Sequence, residues 1–141
     1  DDSIVHDLLS RFRAPHATER RIVGGLLGQW AVWTRPAVEM LHRIRRLPEE
    51  APLDPAWFRL ATALTDANAA LFDAAGGFRG CIAGIHEVLR RQGLLAGTWC
   101  LAEEDALSPG QREEIDRVLV AHPELNDDRF VAEHVAEWLA D

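Results

Sequence analysis

Lysine and tyrosine are missing altogether: all fifteen basic residues are arginine, and the tyrosine count is zero. Without lysine no side chain here can form a Schiff base with a carbonyl substrate, and without tyrosine there is no phenolic proton relay. Codon bias in a GC-rich genome would account for arginine in lysine's place. Cysteine is nearly absent as well. Cys81 and Cys100 are too far apart for a CxxC redox pair and fit no zinc framework. Cys81, near a helix start, is expected to be a small buried residue. Long hydrophobic runs are lacking too: the longest, residues 22–33, is too short and too broken to span a bilayer. The opening residues do not read as a signal peptide, so the cytoplasm is the expected compartment.

What is present is ordinary globular composition. The 141 residues suit one core-forming chain, with 48% apolar and 27% charged residues, which excludes a disordered segment. The net charge of -8 is unevenly placed. Residues 1–48 hold eight arginines against five acids, whereas the remainder holds seven against eighteen. An acidic chain whose basic part has no interleaved aromatic residues is expected to bind neither nucleic acid nor an anionic membrane.

In order, residues 1–12 read as a helix capped by Asp2 or Ser3, with Ile4, Val5, Leu8, Leu9 and Phe12 on its apolar side. Its abrupt start, with no leading tail, suggests a piece of a longer protein. A polar loop follows, and then the run 20–27 (RRIVGGLL) ending at Gly28, which is the best strand candidate; a buried helix start is the alternative. One strand needs neighbours for its backbone groups, so partner strands are expected outside these residues. Residues 33–46 predict a helix with Pro36 in its first turn and Val38, Leu41 and Ile44 inward. After a proline-rich loop, Asp54-Pro55 opens a long helix burying Trp57, Leu60, Ala61, Leu64, Ala67, Leu71 and Phe72. The stretch 71–97 (LFDAAGGFRGCIAGIHEVLRRQGLLAG) predicts a helix end, a Gly-Gly break and a second helix stopping at Gly93. Ile82, Ile85, Val88 and Leu89 form its apolar side, opposite Arg79, Glu87, Arg90 and Arg91. Ser108-Pro109-Gly110-Gln111 reads as a capping box, and Asn126-Asp127-Asp128 caps a last helix with Phe130, Val131, His134, Val135, Trp138 and Leu139 on one face.

Catalytic and metal motifs fail on spacing. His86-Glu87 lacks the second histidine of HExxH, because Arg90 stands in its place. Gly24, Gly25 and Gly28 match neither phosphate-loop pattern. The six histidines have no ligand spacing, no serine sits in a GxSxG elbow, and neither cysteine has a histidine near it in sequence. What remains is the Gly-rich end of the 22–28 strand, where backbone can approach a ligand, and Asp1-Asp2, which from the residues alone is a helix cap.

The helix ending Val88-Leu89-Arg90-Arg91-Gln92-Gly93-Leu94, with the Leu107-Ser108-Pro109-Gly110 cap beyond it, resembles the C-terminal region of the dihydrodipicolinate synthase/N-acetylneuraminate lyase family of pyruvate-dependent class I aldolases. The resemblance extends over the whole chain. It implies an α/β fold: the last part of a (β/α)8 TIM barrel in residues 1–48 and a C-terminal helical domain in residues 49–141, the chain itself being mostly α. Helix seven would be residues 4–12, strand eight residues 22–28 and helix eight residues 33–46. Family chemistry joins or cleaves pyruvate, or a related 2-oxo acid, and an aldehyde through a lysine imine. That lysine and its tyrosine partner would precede Asp1 in an N-terminal barrel half. What carries over is secondary: Asp2 and Ser3 at aldehyde-side contact positions, and Leu27 and Gly28 in the backbone lining the pyruvate pocket. Where the family often has serine, this chain has Gly28. The resemblance implies no catalytic residue here, no metal or other cofactor, and a homo-oligomer packed through the helical domain. The rival expectation is a self-standing all-α interaction module, in which residues 20–27 would be looped or helical.

Overall fold

The computed structural model describes residues 3–13, 15, 19–50 and 52–140, with the side chain of residue 103 excepted. Among these the chain is mostly α-helical: α1 (Ile4–Leu9), α2 (Thr34–Arg45), α3 (Ala56–Leu71), α4 (Cys81–Arg91), α5 (Gln111–Ala121) and α6 (Asp128–Trp138). Two two-residue strands, β1 (Arg11–Phe12) and β2 (Arg20–Arg21), pair antiparallel, with Arg11 opposite Arg21 and Phe12 opposite Arg20. No described helix is long and apolar enough to cross a membrane.

The central element is α3, which touches α1, α4 and α5. A helix flanked on several sides needs small residues where neighbours come close, and Ala63, Ala67 and Ala70 are buried along it beside Leu64 and Leu71. Leu8, Val32, Ile44, Val88, Ile115 and Val118 complete a core that draws on both sides of residue 48.

Where the local chemistry was decisive, the expected ends are present. Asp54 Oδ1 accepts the Ala56 N–H at 2.7 Å, closing the start of α3. At the end of α4, Gly93 takes φ +78°, which only glycine adopts without cost. The Leu94 N–H then reaches back to the Leu89 carbonyl (2.9 Å) and the Gly93 N–H to that of Arg90 (3.1 Å), a Schellman stop.

Four expectations are corrected. The strand expected at 22–28 does not form: only Arg20 and Arg21 pair, residues 22–27 are irregular, and Gly28 opens a 3-10 turn (Gly28–Ala31). No described strand lies alongside residues 22–27, so no barrel is formed by these residues, and the alternative helix start is not formed either. Phe12 lies beyond α1 in β1 and is exposed. Val38 is exposed: α2 turns Met40 into the core beside Ile44, which was expected there, and Leu41 is partly buried against it. On α4 the buried face is rotated: Ala83, Gly84, Glu87 and Val88 are buried and Ile82 is exposed. The cause is Gly84, where a β-carbon would overlap the Leu71 carbonyl oxygen. That approach pulls the small side of α4 against α3 and carries Glu87 inward with it.

Candidate functional site

Of the residues singled out by sequence, Ser3, Leu27 and Gly28 are among the described residues. Asp2 lies outside the described residues. Ser3 stands exposed at the N-cap of α1. Gly25 lies against Ile4, so the start of α1 runs beside the 24–28 stretch. Leu27, however, points into the core, and at Gly28 a β-carbon would run into the Phe72 ring. Glycine at 28 therefore leaves room for that ring.

Three polar clusters stand out in the structure, of which the sequence analysis anticipated only the Ser108–Gln111 pair. The first closes the corner between α3 and α4. Asp73, itself at φ +55° and buried, accepts the N–H groups of Gly76 (3.2 Å) and Gly80 (3.1 Å) and the Ser108 hydroxyl (2.6 Å). Beside it the buried Gln111 amide donates to the carbonyls of Leu71 (3.1 Å) and Gly80 (2.9 Å), while its oxygen accepts the Ser108 N–H (3.1 Å). The capping box is thus half made: Gln111 returns to the Ser108 backbone, but the Ser108 hydroxyl is diverted to Asp73. The helix begins at Gln111, with Pro109 and Gly110 ahead of it.

The second cluster surrounds Glu87, whose side chain is fully buried yet touches three arginines. Arg90 grips it at 2.9 and 3.0 Å, Arg91 at 2.9 Å, and Arg112 stands 3.5 Å away. Arg91 also pairs with Asp116 on α5. The Arg90 hydrogen bonds above all, with those of Arg91 behind them, outweigh desolvation and hold the Glu87 carboxyl at about 2 against an ordinary 4.5. The folded carboxylate therefore binds its proton less readily than the unfolded one. Its stabilisation is complete above pH 4.5 and is lost as pH falls through that value toward 2. Water around the half-exposed arginines reduces the effect to about 1–2 kcal/mol. In acid titrations of stability, the gap between wild type and Glu87→Gln should close across this window; a gap independent of pH would refute the assignment.

In the third cluster Asp66 takes both Arg117 nitrogens (2.7 and 2.9 Å) and His122 Nε2 (2.7 Å), which ties α3 to α5. The Arg117 hydrogen bonds, then that of His122, hold its carboxyl well below the usual carboxylate range.

None of these clusters pairs a nucleophile with an activating base. Ser108 faces a carboxylate without a histidine. Cys100, which is part-buried as Cys81 also is, comes within 3.9 Å of His86 Nδ1, a neighbour across 14 residues that sequence spacing did not show. Burial, with the charge of Asp105 behind it, pushes the Cys100 thiol up, away from thiolate. Among the described residues no three His, Cys, Asp or Glu are grouped to hold a metal ion.

An apolar cleft lies where α6 meets α2. Asp127 anchors this meeting: its carboxylate accepts the Arg35 N–H in the first turn of α2 (3.2 Å) and the Gln92 amide (2.9 Å). The Arg35 guanidinium lies 4.4 Å from the Phe130 ring, which continues into a stack with His134 and Trp138. Between them is a cleft of about 530 Å3 walled by Val38, Leu89, Leu94, Phe130 and Trp138. The α6 face expected to be buried is half-covered: Val131 is buried, whereas Trp138 and Leu139 remain exposed.

No known protein family has a sequence profile that matches this chain, and neither a curated protein nor a solved structure was found that does.

Proposed function

We propose that the chain is the C-terminal portion of a dihydrodipicolinate synthase-like aldolase or lyase, acting on a 2-oxo acid such as pyruvate and an aldehyde. The observation that carries this reading is the state of residues 22–27. Val23 is 73% and Leu26 97% exposed, which leaves two aliphatic side chains of one short apolar run on the surface. Leu27, at the end of this run, enters the next turn already extended at φ -128°, ψ 126°. An apolar segment of this kind, lying between helices that the resemblance equates with barrel helices seven and eight, is what a barrel strand looks like without its neighbours. The stop at Gly93 and the Ser108–Gln111 turn agree with the helical pattern on which the resemblance rests. In this reading the imine lysine belongs to an N-terminal barrel half, the chain contributes backbone around Leu27 and Gly28 to one wall of the site, and the helical part packs between subunits of a homo-oligomer.

Two outcomes are expected. The purified chain alone, lacking lysine, turns over no pyruvate with any aldehyde; measurable pyruvate-dependent aldol activity from it would overturn the reading. Light scattering should show the isolated chain associating through the exposed segment, and Val23→Lys with Leu26→Lys should abolish the association at unchanged helix content. A wild-type chain that stays monomeric would argue against an unpaired strand.

A second reading, an all-α interaction module, is favoured by the absence of sheet pairing at 22–27 together with the apolar cleft between α2 and α6. It places the working surface at Val38 and Trp138 instead.

A further inference from the structure

The cleft where α2, the end of α4 and α6 meet is framed by contacts that fix α6 in place. Asp127 joins two elements at once, accepting the Arg35 N–H at the start of α2 (3.2 Å) and the Gln92 amide just after α4 (2.9 Å). Along α6 three rings brace one another: Phe130 meets His134 at 4.4 Å and Trp138 edge-on at 5.7 Å. The Arg35 guanidinium, 4.4 Å from the Phe130 ring, holds that row against α2. Buried Val32 and Val131 line the cleft, yet Val38 (46% exposed) and Trp138 (48%), which line it too, remain open to solvent. The result is a formed apolar concavity, the usual setting for a small-molecule site.

We propose that this cleft binds a neutral aromatic molecule of two or three rings. Its volume, about 530 Å3, falls within the range of about 300–1,000 Å3 typical of small-molecule sites. Judged by the roughly 30 Å3 that one water occupies, it takes on the order of fifteen non-hydrogen atoms. The half-exposed Trp138 ring, facing Val38 and Leu94 across the cleft, offers the flat apolar surface on which an aromatic molecule packs. Charge selects for neutrality. Arg35 already pairs with Glu39 at 2.9 Å, and both Asp127 oxygens are engaged. Two carboxylates against one guanidinium leave no excess positive charge for an anion, and the Phe130 ring already carries a cation. The inference does not rest on the aldolase reading, and it puts a small molecule where the interaction-module reading puts a protein.

The test is a fluorescence titration of the full chain with N-phenyl-1-naphthylamine, a neutral three-ring probe whose emission rises in apolar surroundings. Saturation at one probe per chain is expected. The sulfonate 1-anilinonaphthalene-8-sulfonate, with the same rings and a negative charge, should bind about tenfold more weakly or worse. Val38→Trp, which enlarges a half-exposed side chain lining the cleft, should abolish binding at unchanged helix content. Trp138→Ala should weaken it about tenfold and covers the case in which Val38→Trp disturbs α2. Val23→Lys with Leu26→Lys should leave the titration unchanged; a response lost in that variant would place the probe on the 22–27 segment and overturn the proposal. No saturable binding, a sulfonate bound equally well, or binding unchanged in both Val38→Trp and Trp138→Ala would overturn it too.

Discussion

Gly84→Ala destabilises the chain by about 3 kcal/mol or more, although alanine in an ordinary helix interior gains about 1 kcal/mol over glycine. The sign reverses because position 84 is a point of contact between helices. A β-carbon there would overlap the Leu71 carbonyl oxygen and crowd the Gln111 amide. Backbone cannot rotate away as a side chain can, so α4 must back off α3, and the Gln111 bonds to Leu71 and Gly80 lengthen with it. Urea denaturation measures the loss directly, and thermal unfolding should fall by about 10 °C. A stability equal to or above wild type would mean that α4 and α3 are not in this contact.

Asp73→Ala has the next largest effect, about 2–4 kcal/mol. It removes the acceptor of the Gly76 and Gly80 N–H groups and of the Ser108 hydroxyl, and Gly80 is buried where water cannot replace the bond. It also puts alanine at φ +55°, which aspartate and asparagine tolerate better. Asp73→Asn, keeping one oxygen and the tolerance of that backbone, should cost about half as much or less. Ser108→Ala, which deletes one of the three bonds, should cost about 1 kcal/mol. If Asp73→Ala and Asp73→Asn were equally mild, the corner between α3 and α4 would be held by packing alone.

These two positions also mark the boundary of what the sequence reveals. Helix ends with their own local chemistry were legible: Asp54 before α3 and Gly93 after α4 act through residues within a few places along the chain. The buried face of α4 was not. Periodicity puts Ile82 inside and Glu87 outside, but the Gly84 contact turns the helix and three arginines make Glu87 tolerable in the interior. Arg90 and Arg91, three and four residues on, were the available signal. Residues 20–27 have the β-branched and aliphatic composition of a strand, but strand formation needs a partner, and composition carries no information on where that partner is. For the site the legible part is smaller. Leu27 and Gly28 were chosen through a resemblance, and the structure gives each a packing duty against the core and Phe72.

The Schiff-base reading is tested most directly by intact mass. The protein is captured from the cells that make it with an antibody to this chain and treated with pyruvate and borohydride, which fixes an imine irreversibly. The reading predicts a species well above the 15.7 kDa of these residues, carrying one pyruvate-sized adduct. A single unmodified species at 15.7 kDa would contradict it and leave the helical interaction module.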